Sequence, residues 1–179
     1  MSVCLIPHLF FNAYKEQKMA EISYTGTIIS ETDKNGIITQ ANDVFQEVAG
    51  YTESELIGAN HNLVRHPDMP RAVFNLVWST IKAGNPIRGF VINKAKNGDH
   101  YWVLATVTPT ADGYRAERVA PDAATINDVV APLYKAMRDK EAETNFDDAG
   151  MEASTKILLD VLADKGLSYD ELINALARA

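Results

Sequence analysis

The rhythm of apolar and polar positions changes once along this chain, near Pro121. Before it, apolar runs of strand length are separated by turn residues; after it, apolar residues recur every three to four positions, the helical period. Residues 27–30 and 37–39 flank Asp33-Lys34-Asn35-Gly36, and residues 87–95 and 101–110 flank Asn97-Gly98. Asn-Gly pairs tolerate positive φ and so favour tight hairpins. Asp112-Gly113 turns the chain into a last strand over residues 114–119. Between the second and third strands the pattern is helical. Asn42 caps a run carrying Val44, Phe45, Val48 and Ala49 that stops at Gly50, and Thr52-Glu53-Ser54-Glu55 is a capping box for a short helix ending at Gly58. Pro70 opens a longer helix to residue 83 with an apolar stripe of Val73, Phe74, Val77, Trp78 and Ile81. Two strands, a cluster of helices and a three-strand meander predict an α+β domain, a five-stranded antiparallel sheet with short helices on one face.

Beyond Pro121, Ile126, Val129, Val130, Leu133 and Met137 form a near-heptad stripe, with a kink or a break expected at Pro132. A polar link over residues 145–150 leads to a helical pair, roughly 151–165 and 168–178, hinged at Gly166. That pair has too little core to stand alone and is expected to dock on the domain or on another chain. At the other end, Leu5, Ile6, Leu9, Phe10 and Tyr14 form one apolar face, unless Met19 is the true start. The expected organisation is therefore an N-terminal cap or extension over 1–24, an α+β domain over 25–120, a helix over 121–144 and an acidic helical hairpin over 145–179.

The charge follows this division. The chain of 179 residues has net charge −7, and residues 139–179 hold 10 of the 24 acidic side chains but only 4 of the 17 basic ones. This balance speaks against a nucleic-acid surface. The single cysteine, Cys4, excludes an internal disulfide and a cysteine metal cage. No apolar run approaches the roughly 20 residues of a membrane span, and no signal peptide is read at the start. A cytoplasmic setting without membrane insertion is the expectation.

No Gly-rich phosphate loop, H-E-x-x-H site or G-x-S-x-G elbow occurs, so no enzyme motif is present. The chemistry concentrates in Asn60-His61-Asn62-Leu63-Val64-Arg65-His66-Pro67-Asp68-Met69-Pro70, directly before the helix that carries Trp78. Polar groups beside an apolar chamber are what a ligand pocket needs. The plainer alternative is an Arg65–Asp68 ion pair, a His66 that caps a helix and a Trp78 in the core.

These residues carry a family resemblance. From about Gly26 to Val119 the chain resembles a PAS domain, and within that fold the flavin-binding type of bacterial aerotaxis receptors and their stand-alone relatives in energy taxis. The matching runs are Gln40-Ala41-Asn42-Asp43-Val44-Phe45, Ala49-Gly50-Tyr51-Thr52, the stretch from His61 to Pro70, and Lys96-Asn97-Gly98-Asp99-His100-Tyr101-Trp102-Val103. The resemblance implies non-covalent FAD binding, with Asn42, His61, Arg65, His66, Asp68, Trp78 and Asn93 as the pocket positions. Asn42 and Asn93 would pair with the edge of the isoalloxazine ring, and Trp78 would stack on it or wall it off. Arg65 or His66 would stabilise a reduced, anionic flavin, with Arg65 also able to meet the diphosphate. Structural roles compete: Asn42 as an N-cap only, Asp68 as a loop anchor. Flavin photoreceptors of the LOV type carry a reactive cysteine in an Asn-Cys-Arg pattern where this chain has Asn60-His61-Asn62, so thiol-adduct photochemistry is not expected.

The function so implied is a redox or oxygen sensor, not an enzyme, that signals to a separate transducer such as a chemoreceptor-like protein. Self-association is expected as a homodimer through the N-terminal or C-terminal helices. The alternatives are a cofactor-free PAS interaction module, a haem-binding PAS sensor with His61 or His66 as ligand, and a small flavoenzyme. Two features depart from the aerotaxis pattern: no transmembrane segment is read, and residues 114–119 are more charged than a buried strand should be.

Overall fold

The computed structural model describes residues 19–178. The apolar face at residues 5–14, Cys4 and the N-terminal route to a dimer lie outside them. Five strands form one antiparallel sheet: β1 (Ile28–Asp33), β2 (Ile38–Ala41), β3 (Ile87–Lys94), β4 (His100–Pro109) and β5 (Gly113–Val119). Their spatial order is β2-β1-β5-β4-β3, so the last strand lies at the centre and closes the N-terminal hairpin onto the meander. Gly113 makes that closure possible, because a side chain there would overlap the Thr32 backbone carbonyl of β1.

Helices α1 (Asp43–Ala49), α2 (Glu53–Leu56) and α3 (Arg71–Lys82), with a 3-10 turn at His61–Val64, fill the crossover from β2 to β3. Their caps are those the sequence predicts. Asn42 Oδ1 accepts the Phe45 amide, Gly50 closes α1 at φ 73, and the Thr52–Glu55 capping box is formed. Pro70 precedes α3. These elements and the inner face of the sheet bury Ile28, Ile38, Phe45, Leu56, Tyr101 and Val103 together.

The outer face is covered by the C-terminal helices: α4 (Ala123–Thr125), a π turn (Ile126–Val130), α5 (Ala131–Ala142), α6 (Asp148–Lys165) and α7 (Tyr169–Leu176). The expected disturbance at Pro132 takes the form of that π turn. Pro132 then sits in the first turn of α5, where its missing N–H costs nothing. Phe90, Ile92, Trp102 and Leu104 pack against Ile126, Val130, Tyr134 and Met137, and α6 and α7 add Leu158 and Ile173. The C-terminal hairpin thus docks on the sheet of its own chain.

One carboxylate joins the two halves. Glu141 of α5 is fully buried, and its oxygens accept the Arg71 and Ala72 amides at 3.0 and 3.1 Å. These are first-turn donors of α3 that have no partner within the helix.

Candidate functional site

Strand alternation places Ser30 and Thr32 of β1, Asn93 of β3, and Tyr114, Ala116 and Arg118 of β5 on the inner face. Facing them, α3 presents Phe74, Val77, Trp78 and Ile81. The sheet and the helix do not close on each other. A cleft of about 100 Å³, open to solvent on one side, lies between them. His61, Arg65 and Met69 from the segment before α3 form one side. Trp78 stands edge-on to Tyr114, ring centres 5.6 Å apart, and lies against Gly36, where a Cβ would come within 3.1 Å of the indole. The Asn-Gly turn therefore has two reasons for its glycine, a φ of 81° and the space taken by Trp78.

The floor holds a buried cation. Arg118 is only 7% exposed, and its guanidinium donates to Ser30 Oγ at 3.0 Å and to His61 Nε2 at 2.9 Å. No carboxylate among the described residues pairs with it. Burial lowers its pKa to about 10. The His61 ring stacks on Phe45 at 5.8 Å, and burial, with the Arg118 charge second, lowers its pKa to about 3. His61 is thus neutral near pH 7, and because its Nε2 accepts from Arg118, the ring proton sits on Nδ1.

Asn93 is 5% exposed, and its side-chain amide makes no hydrogen bond with another described residue. Its backbone forms a bridge with Arg65, whose guanidinium lies 4.0 Å over the Phe74 ring. An amide that bonds to no other described side chain or backbone group, a buried arginine without a carboxylate partner among the described residues and an apolar wall opposite suit a flat, polar-edged heteroaromatic ligand.

Of the seven sequence-predicted positions, four line this cleft: His61, Arg65, Trp78 and Asn93. Asn42 does not reach it. Its Oδ1 accepts from Ile29 and Phe45, and its Nδ2 donates to the Thr27 carbonyl, which ties α1 to β1. His66 and Asp68 lie outside the cleft. His66 Nδ1 accepts the Asp68 amide at 3.0 Å, its ring is 5.7 Å from His100, and the exposed Asp68 carboxylate is 3.7 Å from it. The Asp68 backbone amide therefore holds the His66 ring, and no Arg65–Asp68 pair forms among the described residues. Trp102 points to the outer face against Tyr134.

Sequence reasoning missed Arg118, Ser30, Phe74 and Tyr114. The signal was the charged strand itself. Arg115 and Glu117 alternate outward, and Arg115 pairs with Glu31 at 2.8 Å and with Glu117 at 3.1 Å. Tyr114, Ala116 and Arg118, which alternate with them, point inward.

Residues 38–120 match the family described as the PAS fold. The chain is 45% identical to the aerotaxis receptor of Escherichia coli (strain K12) over 131 residues, covering 69% of this chain and 25% of the receptor. It is 33% identical to a nitrogen fixation regulatory protein of Klebsiella pneumoniae over 103 residues, covering 58% of this chain and 19% of that protein. The chain thus spans a quarter or less of these curated relatives. Among solved structures, the LOV protein of Rhodobacter sphaeroides superimposes with a TM-score of 0.51 at 16% identity, covering 78% of this chain and 86% of that one; at that identity the likeness is one of fold.

Proposed function

The domain at residues 38–120 belongs to the PAS fold family, and on that premise we propose that the protein is a cytoplasmic sensor that binds FAD non-covalently and reports redox state or oxygen. The observation that carries this reading is the cleft floor, an Asn93 amide and a buried Arg118 cation, neither paired with a carboxylate among the described residues, facing the apolar wall of Trp78 and Phe74. The relatives support it: one is named an aerotaxis receptor and another a nitrogen fixation regulatory protein.

A bound flavin would supply reversible two-electron redox chemistry and gain negative charge at its polar edge on reduction. Asn93 would hold that edge through its amide. Arg118 would compensate the added charge, with the neutral His61 keeping the guanidinium in place. Trp78 and Phe74 would exclude water from the ring faces. Outside the cleft, Asn42 would shape the pocket by fixing α1 to β1, and the bond from the Asp68 amide to the His66 ring would fix the segment that presents Arg65. His61 spends its Nε2 on Arg118 and His66 lies outside the cleft, so neither is placed as a haem ligand.

The output would run through contacts already in place. The bridge from Asn93 to Arg65 leads to Phe74 on α3, and Glu141 ties α3 to α5. A two-state shift there would reach the C-terminal helices, and through them a separate transducer of the chemoreceptor kind. Homodimerisation would use the terminal helices; Leu159 on α6 is 57% exposed. The protein would turn over no substrate. Among the described residues, no helix is long and apolar enough to cross a membrane.

The test is an absorption spectrum of the purified protein, followed by denaturation and identification of the released chromophore. A flavin spectrum that bleaches with dithionite and returns in air is expected, with FAD released. A Soret band, or no chromophore after incubation with FAD, would replace this reading with a haem sensor or a cofactor-free interaction module.

A further inference from the structure

Resting on that flavin reading, we propose that the C-terminal helices complete the cofactor site: Arg138 of α5 and Phe146 of the α5–α6 connection join Arg65 and Arg71 in a second chamber that takes the diphosphate and adenine of a flavin dinucleotide. The chamber is an open groove of about 410 Å³ that shares Asn62, Arg65 and Met69 with the cleft. The two spaces adjoin at Arg65, and in the proposed pose a ligand with its ring against Asn93 and Arg118 would pass Arg65 into the groove.

Three guanidinium groups meet there. Arg138 donates to Glu141 at 3.4 Å, but its Nε is buried without a partner. Arg71 reaches the Asp147 carbonyl at 3.3 Å and approaches the exposed Asp148 carboxylate at 3.7 Å. Arg65 forms no ion pair with a described residue. Burial, then the charges of Arg138 and Arg71, push the Arg65 pKa down, with Glu141 opposing them. Glu141 cannot neutralise the whole group, because its oxygens also hold the first amides of α3. Converging arginines with spare donors are the arrangement that diphosphates use.

Phe146 supplies the apolar half. Asn145 and Phe146 are the two non-glycine residues with positive φ among those described, at 54° and 60°. L-residues rarely adopt that conformation, because Cβ crowds the backbone. The turn it makes sets the Phe146 ring 4.2 Å from the Arg138 guanidinium at the chamber wall rather than in the core. A flat ring beside a row of cations matches a base linked to a diphosphate.

The experiment titrates the full chain, freed of any bound cofactor, with riboflavin, FAD and ADP. FAD should bind at least about tenfold more tightly than riboflavin, the worth of a charge-assisted contact or two. Arg138→Gln and Phe146→Ala should each erase most of that preference and leave riboflavin affinity unchanged, while Arg138→Lys keeps part of it. Equal affinities for FAD and riboflavin in the unaltered protein would overturn the inference. So would variants that weaken both ligands alike, the mark of a packing role, checked by their denaturation midpoints. If neither flavin binds, the flavin reading fails by itself and ADP decides: binding that Arg138→Gln weakens retains a nucleotide chamber, and no ADP binding removes it.

Discussion

The two faces of the β3–β4–β5 sheet come from alternate residues of the same strands, yet they are built to different ends. The outer face is mainly apolar packing. Phe90, Ile92, Trp102 and Leu104 meet apolar side chains of α5, α6 and α7; of the two tyrosines there, Tyr134 donates its hydroxyl to the Phe90 carbonyl at 2.7 Å, while the Tyr169 hydroxyl is buried without a partner among the described residues. The inner face is complete only beneath α1 and α2. Toward α3 it leaves a cleft floored by the Asn93 amide and by a cation with no carboxylate partner among the described residues. A protein selected for stability alone would place leucine or methionine at Arg118, since burying a charge without a partner costs free energy. The contrast assigns the outer face to structure and the inner face to a ligand.

Substitutions on the two faces should therefore fail in different ways. The largest effect belongs outside: Phe90→Ala should lower unfolding stability by about 3–4 kcal/mol, read from urea denaturation, and weaken ligand binding only as far as it unfolds the protein. Glu141→Ala, at the junction, should cost about 3 kcal/mol, because it strips a buried carboxylate from Arg138 and from the α3 amides; a loss below about 1 kcal/mol would show that α3 is held by other contacts.

A third effect separates the faces by pH. Because the folded-state pKa values of His61 and His66 are lowered, the unfolded chain takes up protons that the folded chain refuses. Stability should fall as pH drops below about 6.5, by at most about 1.4 kcal/mol per pH unit for each histidine. For His61 the loss continues toward pH 3. His61→Gln, which keeps an acceptor for Arg118, should flatten the slope between pH 6.5 and 5, above the range of the lowered carboxylates of Asp33, Glu55, Asp147 and Glu171. An unchanged slope would contradict a neutral, buried His61.

Much of the frame was legible in the sequence, because local chemistry sets it. The turns at Asn35-Gly36 and Asn97-Gly98, the cap at Asn42 and the stripe of α3 each follow from a few adjacent residues. Strand order was not legible: β5 sits between β1 and β4 through pairing across more than 80 residues. Arg118 was hidden for the same reason. Read locally, residues 114–119 are a charged strand; only the register with β1 shows Arg115 and Glu117 facing Glu31 outside and Arg118 facing Ser30 inside. The His61–Pro70 segment drew notice by composition, but which of its side chains turn inward depends on the 3-10 turn at 61–64 and the bridge from Arg65 to Asn93.

The smallest change in stability makes the most direct test. Arg118→Met should leave the flavin-free protein as stable as the original or more stable by about 1 kcal/mol, while flavin binding, followed by quenching of flavin fluorescence on titration, weakens at least about tenfold. A variant that loses stability and binds flavin as before would contradict the account, for Arg118 would then serve the fold and not the ligand.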